Sequence, residues 1–425
     1  MHIFFSGIGG TGIGPLALIA KQAGYTVSGS DKQDSDYIHY LKKQGVNSIH
    51  IGQTQQSIEA LHKKHPLDWY VYSSAVAIEN PNAPELVFCK KANVKTSKRD
   101  DLLNHIITEK QLKMLAIAGT HGKTTTTAML IWLCKQLSIP ISYSVGAKLS
   151  FGEMGQFDAK SRYFIYEADE FDRNFLAFHP YLSIITGVAW DHPDIYPTRQ
   201  DYQDAFTQFI GQSYQTIIWQ SDQHALHLSE NQRLLEVDED DSKIQDIQLT
   251  GLVNRKNAWQ VIQAVHLLTD APVDELINHI NQFPGLSRRF EIVAPNIYSD
   301  YAHTPEKIQG ALQMAREKAG DNFVVVYEGL HNTRQHFIKK QLSHLFDDAP
   351  SVYIVPSYLA REDPKLQLLT PKDLAKIIGQ QARPSALDNK LKQEIKQHTK
   401  NGNLVLCLTA GGGGSLDEWL RKEFS

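Results

Sequence analysis

The sequence AGTHGKTT, residues 118–125, lies between a predicted apolar strand, Met114–Ala118, and a predicted helix, Thr124–Leu137. Glycines in such a strand–loop–helix unit let backbone N–H groups surround a triphosphate at the positive end of the helix dipole. In this pattern the lysine neutralises the β- and γ-phosphates, and the hydroxyl that follows it reaches Mg²⁺. The stretch therefore predicts an α/β domain that binds ATP and Mg²⁺. The residues predicted to contact the nucleotide are Gly119, Thr120, His121, Gly122, Lys123, Thr124 and Thr125.

A second glycine-rich loop, GIGGTG at residues 7–12, follows the predicted strand His2–Ser6. Asp31 lies about 20 residues further along, after the predicted strand Thr26–Ser30, where a ribose-binding carboxylate would lie. This arrangement matches the dinucleotide fingerprint, and a nicotinamide-dependent oxidoreductase would explain residues 1–40. An enzyme that also has an ATP loop could instead use it to bind a nucleotide-diphosphate substrate. Both alternatives are open at this point.

Strands and helices alternate along the 425-residue chain, which is too long for one ordinary hydrophobic core. This alternation predicts parallel sheets covered by helices, and a domain boundary is expected near Pro284–Gly285. We predict three α/β domains: a Rossmann-like domain over residues 1–108, a P-loop domain over residues 109–284 and a Rossmann-like domain over residues 285–425. Further predicted strands are Asp68–Ser73, Tyr163–Glu167, Leu182–Thr186, Ile297–Tyr301, Asn322–Tyr327, Val352–Pro356 and Leu404–Thr409, and further predicted helices are Tyr202–Ile210, Arg255–Leu268, Thr304–Lys318 and Ile338–Phe346.

The overall composition is typical of a globular protein, with 42% hydrophobic and 21% charged residues. The formal net charge of −4 does not indicate a nucleic-acid partner, so phosphate groups would have to be bound at local sites. The three cysteines are scattered without metal-like spacing, and no run of about 18 apolar residues is present. These features predict a cytoplasmic protein without a membrane span. The sequence does not indicate the oligomeric state.

The two loops and several further strings in the sequence resemble one enzyme family. GTHGKTTTT, residues 119–127, resembles the ATP loop of the Mur ligases, and EADEFD (167–172) and WDHPDIY (190–196) resemble the metal-site segments of their central domain. The resemblance extends over nearly the whole chain. The other strings are GIGGTGIGPLA (7–17), SGSD (28–31) and YSSAV (72–76) for the UDP-binding domain, NRKNA (254–258) for the adenine side, and SRRF (287–290), DYAHTP (300–305) and HNTRQ (331–335) for the C-terminal domain.

The resemblance implies an ATP-dependent amide ligase that acts in peptidoglycan precursor synthesis, and so in cell wall biogenesis, cell shape and cell division. Its expected reaction joins L-alanine to the carboxylate of UDP-N-acetylmuramate through an acyl phosphate. One departure keeps a second branch of the family open. Where the alanine-adding branch usually has an arginine three residues before Arg334, this chain has His331. The pattern of Glu328, Asn332 and Thr333 resembles instead the branch that attaches a murein tripeptide to the same acceptor in cell-wall recycling.

The resemblance also implies a role for particular residues. The expected catalytic residues are Lys123, Glu167, His192, Arg289 and His303. The expected Mg²⁺ ligands are Thr124, Glu167 and His192. Asn254, Asn257 and Asp300 are expected to bind the nucleoside of ATP. The UDP-linked substrate is expected to contact Gly7, Gly9, Gly10, Thr11, Gly12, Asp31, Ser73 and Ser74, and the amino substrate His303, His331 and Arg334.

Two readings outside the ligase class remain as alternatives. A nicotinamide-dependent oxidoreductase would use the first loop but leave residues 114–335 unexplained. A non-catalytic ATP-binding regulator would need Lys123 and Thr124 but has no need of the additional set that the ligase reading uses. That set consists of Glu167, His192, Asp300 and His303.

Overall fold

The structure is a computed structural model, and it divides into two compact units. Unit one comprises residues 1–246 and 257–283, and unit two comprises residues 247–256 and 284–425. Ser74, one of the residues predicted to bind the UDP-linked substrate, lies outside the described residues. The described residues are 1–73, 76, 80–192, 195–228, 233–359, 362–409 and 413–424.

The first sheet of unit one has five parallel strands in the order β3-β2-β1-β4-β5. Its central strand β1 is buried at every position, as expected for a parallel strand covered on both faces. The strands are β1 His2–Ser6, β2 Thr26–Asp31, β3 Ser48–Ile51, β4 Trp69–Tyr72 and β5 Lys95–Lys98, and the helices are α1 Gly14–Gln22, α2 Asp36–Lys43, α3 Gln55–Lys64, α4 Pro84–Lys91 and α5 Arg99–Glu109.

The second sheet of unit one has the order β12-β11-β10-β6-β9-β7-β8, and it is parallel except for the β7–β8 pair. The strands are β6 Lys113–Ala118, β7 Ile141–Ser144, β8 Gly155–Gln156, β9 Tyr163–Glu167, β10 Leu182–Ile185, β11 Gln215–Trp219 and β12 Leu234–Val237. The helices are α6 Lys123–Gln136, α7 Arg199–Gln212, α8 Gln220–Ala225, α9 Leu252–Thr269, whose first residues belong to unit two, and α10 Val273–Ile280, with 3₁₀ helices at Phe171–Ala177 and Ser242–Asp246.

The two sheets of unit one share a continuous hydrophobic core and pack directly through helix α1. A Cβ placed on Gly155 in β8 would lie 2.8 Å from the Pro15 carbonyl oxygen, so only a glycine allows this close approach. Gln22, at the end of α1, accepts a 2.7 Å hydrogen bond from the Phe157 N–H. Because α1 also follows the first glycine loop, that loop is held on the same framework as the ATP loop.

The sheet of unit two has six strands in the order β13-β14-β18-β15-β16-β17, and only the β13–β14 pair is antiparallel. The predicted α/β class with three mainly parallel sheets is therefore confirmed. The strands are β13 Glu291–Ala294, β14 Ile297–Asp300, β15 Phe323–Leu330, β16 Val352–Tyr358, β17 Ala382–Pro384 and β18 Leu404–Leu408, and the helices are α11 Pro305–Ala319, α12 Asn332–Leu345, α13 Pro371–Ile378, α14 Asn389–Lys400 and α15 Leu416–Phe424.

One helix begins earlier in the structure than the sequence predicts. A helix was expected over Ile338–Phe346, but α12 begins six residues earlier at Asn332, directly after His331. The polar segment HNTRQ looks like a loop in the sequence, whereas tertiary contacts make it the first helical turn. Asn332, for example, accepts a 2.9 Å hydrogen bond from the Leu369 N–H. Among the described helices, none is long and apolar enough to cross a membrane. The boundaries of the three domains given above remain a prediction.

Candidate functional site

The ATP loop connects β6 to α6 and has a backbone that only glycine adopts easily. Gly119 and Gly122 have φ angles of 141° and 81°, in the region that disfavours residues with a Cβ. Neighbouring side chains also exclude a Cβ: at Gly122 it would lie 2.7 Å from Asn257 Nδ2, and at Gly119 it would collide with Thr186. The loop is therefore closely packed, with the predicted nucleotide-binding Asn257 directly against Gly122.

Hydrogen bonds to the segment after β10 fix the course of this loop. The Thr120 hydroxyl donates to the Ala189 carbonyl at 2.7 Å, and the Ala189 N–H donates back to it at 2.9 Å. The Thr186 hydroxyl donates to the His121 carbonyl. Thr120 and Thr125 are buried. The Thr120 side chain thus stabilises the loop, which leaves phosphate contacts to the backbone N–H groups and to Lys123.

Lys123 is held at the first position of α6 by two oxygen acceptors. Its ammonium lies 2.6 Å from the Gly119 carbonyl oxygen and 2.6 Å from a carboxylate oxygen of Glu170. Burial by itself would lower the pKa of Lys123, but the carboxylates of Glu170 and Asp169 raise it above its ordinary value. The lysine therefore stays charged although it is largely buried.

The predicted metal ligands Thr124 and Glu167 are neighbours. Glu167 ends β9, which pairs with β6, and its Oε1 accepts a 2.7 Å hydrogen bond from the Thr124 hydroxyl. Its second oxygen accepts a 2.7 Å hydrogen bond from the Gly146 N–H. A hydroxyl and a carboxylate side by side are the oxygen donors that Mg²⁺ prefers, so this pair fits the ion.

His192 lies at the same edge of the second sheet, in the segment that follows β10. Its Nε2 is 3.8 Å from a carboxylate oxygen of Glu170, and its ring packs edge-on against Phe171 with a centroid distance of 5.3 Å. Glu170 thus stands between Lys123 and His192, with a side chain only 1% exposed. From the sequence, Glu170 could equally support the metal ligands or be solvated, and it is not among the predicted site residues. Its position within EADEFD was the available signal, but that string does not show which of its acids is buried.

The first glycine loop is organised by the ends of β1 and β2. The Ser30 carbonyl accepts hydrogen bonds from the N–H groups of Gly7 at 2.8 Å and Ile8 at 3.0 Å. The Asp31 carboxylate accepts one from the Gly9 N–H at 2.8 Å. Asp31 therefore shapes the loop, in addition to any contact with a ribose. The remaining loop residues predicted to bind the substrate, Gly10, Thr11 and Gly12, are exposed.

A buried carboxyl group supports this loop from beneath. Oε2 of Glu85 accepts hydrogen bonds from the Ser6 hydroxyl at 3.1 Å and the Ser30 hydroxyl at 2.9 Å. Glu85 is 1% exposed. Burial raises its pKa to about 7, against the opposing effect of the two serine hydroxyls. Folding thus shifts Glu85 toward its neutral form relative to the unfolded chain.

Replacing Glu85 with glutamine should make folding stability less dependent on pH. A folded-state pKa above the unfolded value contributes stability that is full at low pH and is lost as pH rises through about 7. A shift of this size corresponds to roughly 2–3 kcal/mol between pH 5 and pH 8. Urea unfolding of wild type and Glu85→Gln at these two pH values measures it: the variant should gain on the wild type as pH rises. An equal pH dependence in both proteins would contradict the raised pKa.

The two loops face one cavity inside unit one. The cavity lies at the carboxyl ends of strands from both sheets, where ligands bind in open α/β proteins. It is lined by Thr11 and Gly12 of the first loop, by Lys123 and Glu167 of the ATP site, and by Arg99 and Asp169 among others. Anion-binding groups from both glycine loops thus line a single cavity.

Three further predicted residues lie at other points of the chain. Ser73 follows β4, and its hydroxyl is 3.4 Å from the Val76 N–H. Asn254, in unit two, donates from its amide to the Thr250 carbonyl at 2.8 Å, so this side chain already has a local partner near the start of α9. Asn257, in unit one, is buried.

In unit two, Asp300 ends β14, and its carboxylate interacts electrostatically with Arg289, which precedes β13. The Asp300 carboxylate accepts a 2.7 Å hydrogen bond from the Phe290 N–H. Burial raises the pKa of Asp300 to about 6, and the positive charge of Arg289 opposes that rise. The Arg289 guanidinium lies 5.4 Å from the centroid of the Tyr301 ring. These contacts bring together two of the predicted residues.

His303 is buried and interacts electrostatically with Arg289. Its Nδ1 lies 3.1 Å from the Tyr301 carbonyl oxygen. Burial lowers the pKa of His303 well below its ordinary value, and the positive charges of Lys307 and Arg334 lower it further. His303 is therefore a neutral imidazole at neutral pH, and it lies within the electrostatic influence of Arg334.

His331 lies at the carboxyl end of β15 and immediately precedes α12. Its φ angle of 54° is rare for a residue with a side chain. Its Nδ1 is 3.7 Å from Glu362 Oε1, and the other oxygen of Glu362 accepts a 2.9 Å hydrogen bond from the Thr333 N–H. Glu362 is not among the residues predicted from the sequence, since it lies 31 residues after His331 and only the folded chain brings the two together.

An α/β fold with a P-loop whose lysine and threonine lie beside carboxylates defines a class of nucleotide-dependent phosphoryl-transfer enzymes. Residues 2–111 match the Mur ligase family, catalytic domain, and residues 117–265 match the Mur ligase middle domain. The chain belongs to the Mur ligase family. Members of this family are ATP-dependent ligases, so the predicted enzyme class is confirmed.

Relatives that align over nearly their whole length support this assignment. A UDP-N-acetylmuramate--L-alanine ligase from Acetivibrio thermocellus is 28% identical, covering 99% of this chain and 96% of that protein. One from Clostridium botulinum (strain Loch Maree / Type A3) is 27% identical, covering 96% and 95%.

Two solved structures show the same fold. The UDP-N-acetylmuramate-alanine ligase from Thermotoga maritima has a TM-score of 0.73 at 23% identity, covering 100% of this chain and 98% of that one. A murein peptide ligase from Psychrobacter arcticus has a TM-score of 0.63 at 22% identity, covering 97% and 96%. Both branches that the sequence left open therefore share this fold.

Proposed function

We propose that this protein joins L-alanine to the carboxylate of UDP-N-acetylmuramate, with conversion of ATP to ADP and phosphate. The observation that carries the proposal is the cavity lined by both glycine loops, which fits a substrate with a diphosphate at one end and a carboxylate at the other. The alanine ligases that match nearly the whole chain support it. The product is a peptidoglycan precursor.

The chemistry needs activation because a carboxylate and an amine do not condense in water. The muramic carboxylate oxygen attacks the γ-phosphorus of ATP, ADP leaves, and an acyl phosphate forms. The alanine nitrogen then attacks the acyl carbon, phosphate leaves with the bonding electrons, and the nitrogen loses a proton. Phosphoryl transfer depends mainly on positioning and charge neutralisation. Lys123, which remains charged in its buried position, is suited to neutralise the γ-phosphate.

Mg²⁺ fits the oxygen donors beside the ATP loop. Thr124 would hold one ion, and Glu167, whose carboxylate lies beside Thr124, would share a second ion with His192 at the same sheet edge. When bound, the ions neutralise charge on the transferred phosphoryl group. Glu170, between Lys123 and His192, would keep both side chains in place.

The amino substrate would bind in unit two, at the group around His303. Arg334 would hold the alanine carboxylate, since a guanidinium can form two parallel hydrogen bonds with it. His331 replaces the second arginine of the usual pair and lies near Glu362 instead. A single cation should bind alanine less tightly than a pair, so we expect weaker alanine binding than is usual in this branch rather than loss of activity.

The choice of amino substrate can be tested by ADP release at fixed ATP, Mg²⁺ and UDP-N-acetylmuramate, with L-alanine, L-serine, glycine or the murein tripeptide added in turn. L-alanine should give the highest kcat/KM, with a high KM. Arg334→Gln should raise that KM by about 10-fold or more, since a charge-assisted hydrogen bond is lost. Turnover with the tripeptide alone would assign the recycling reaction instead.

The same assay separates the ligase from the other two classes. Omitting UDP-N-acetylmuramate should abolish ADP release. A regulator would bind ATP without turnover under all conditions, and an oxidoreductase would show a change in NAD(P)H absorbance.

The cysteines Cys89, Cys134 and Cys407 are all buried and not in disulfides. We propose a cytoplasmic location, where thiols stay reduced.

A further inference from the structure

Arg99 lines the cavity between the two loops and carries a positive charge. It is not among the site residues predicted from the sequence. It is the first residue of α5 and directly follows β5, so it lies at the carboxyl edge of the first sheet. Its side chain is 24% exposed and lines the cavity together with Gly12 and Lys123. A guanidinium stays charged at any physiological pH, so this cavity contains a permanent positive charge.

Two carboxylates hold the Arg99 side chain in one orientation. Its Nε lies 3.5 Å from Asp100 Oδ1, and its Nη2 lies 3.8 Å from Asp169 Oδ2. Asp100 belongs to the same helix, whereas Asp169 belongs to the EADEFD segment that follows β9. Arg99 thus joins the first sheet to the segment that also contains Glu167. Both acids lie on the Nε and Nη2 side of the guanidinium.

The remaining nitrogen faces the first glycine loop. Nη1 lies 2.5 Å from the point where a Cβ on Gly12 would be, so the guanidinium approaches the loop backbone in space that a side chain at this position would occupy. Gly12 precedes helix α1, and its neighbour Thr11 is exposed to the cavity. An anion bound by this loop would therefore lie within reach of Nη1.

We propose that Arg99 is a substrate-binding residue whose guanidinium binds the diphosphate of the UDP-linked substrate at Gly12. This inference rests on the proposed function. Arginine binds phosphate oxygens by charge-assisted hydrogen bonds in a fixed plane, and the two acids orient that plane before the substrate arrives. Because Arg99 also contacts Asp169, the bound diphosphate would be held in a fixed position relative to the ATP site.

The test is isothermal titration of UDP, UDP-N-acetylglucosamine and UDP-N-acetylmuramate into wild type, Arg99→Gln and Arg99→Lys, without ATP. Arg99→Gln should raise all three Kd values by a similar factor, about 10–100-fold for the loss of a hydrogen-bonded charge. Arg99→Lys keeps the charge without the planar geometry and should give an intermediate loss. Arg162→Gln is the matched control, because this exposed arginine precedes β9 at the opposite edge of the second sheet and should leave every Kd unchanged.

Three other outcomes would each contradict the inference, and each would point to a different explanation. A loss confined to UDP-N-acetylmuramate would mean that Arg99 binds the muramic carboxylate rather than the diphosphate. Unchanged Kd values with a lower unfolding temperature in Arg99→Gln would show a purely structural role, through Asp100 and Asp169. Failure of the wild type to bind any UDP compound would refute the proposed function itself, and the inference with it.

Discussion

Replacing Lys123 with alanine should reduce ligase turnover by about 10³–10⁵-fold, the range found for a cation that neutralises the transferred phosphoryl group. The physical reason is the position of this ammonium at the start of α6, where it remains charged although largely buried. Steady-state ADP release with saturating substrates measures the effect. Binding of UDP-N-acetylmuramate should be unchanged, since Lys123 is not part of the first glycine loop.

The alanine variant also leaves Glu170 buried without its cation, which costs about 3–5 kcal/mol in typical buried pairs. A double variant, Lys123→Ala with Glu170→Gln, removes that charge and separates the effect on chemistry from the effect on folding. The exposed Lys160→Ala is a matched control and should retain full activity. Near-normal turnover in a folded Lys123→Ala protein would refute the assignment of the ATP loop.

Replacing Glu167 with glutamine should lower kcat by more than about 100-fold, because even outer partners of a metal site typically cost 10–100-fold. Glutamine keeps the size of the side chain and an oxygen acceptor for the Thr124 hydroxyl, so the loop should stay folded. It removes the negative charge that attracts the cation. Initial rates as a function of Mg²⁺ concentration should show a higher Mg²⁺ requirement.

A second readout makes this result specific to metal binding. Calorimetric binding of Mg²⁺ with a non-hydrolysable ATP analogue should weaken in Glu167→Gln, while binding of UDP-N-acetylmuramate should not change. Glu236→Gln, an exposed carboxylate in β12 of the same sheet, should behave as wild type. If Glu167→Gln keeps the wild-type Mg²⁺ dependence and kcat, Glu167 does not bind the metal.

The sequence predicts the secondary structure correctly where a local sequence pattern determines it. Strands such as β1 and β15 contain continuous apolar runs, and both glycine loops stand between a strand and a helix. Strand β8 could not be predicted, since it has two residues and depends on packing against α1. The start of α12 was missed because the polar residues of HNTRQ look like a loop, and tertiary contacts override that local preference.

The site follows the same division. Lys123, Thr124 and Glu167 occupy positions that a strand end or a loop motif defines, so they can be selected from the sequence. Arg99 and Glu170 owe their importance to neighbours that are distant in sequence. A charged residue at the start of a helix, or one acid among several, is usually solvated on a protein surface. Only the folded chain shows that these two line the cavity or are buried beside it.

The packing of α1 against β8 has a consequence for substrate choice. Because this contact fixes the first loop and the ATP loop on one framework, the separation between them is set by folding and not by the ligand. A UDP-linked acid must span that separation to bring its carboxylate to the γ-phosphate of ATP. We expect this fixed separation to select substrates by their length. A shorter or longer acid can bind at the first loop equally well, yet its carboxylate stays out of reach of the γ-phosphate. Such a compound would be an inhibitor, not a substrate.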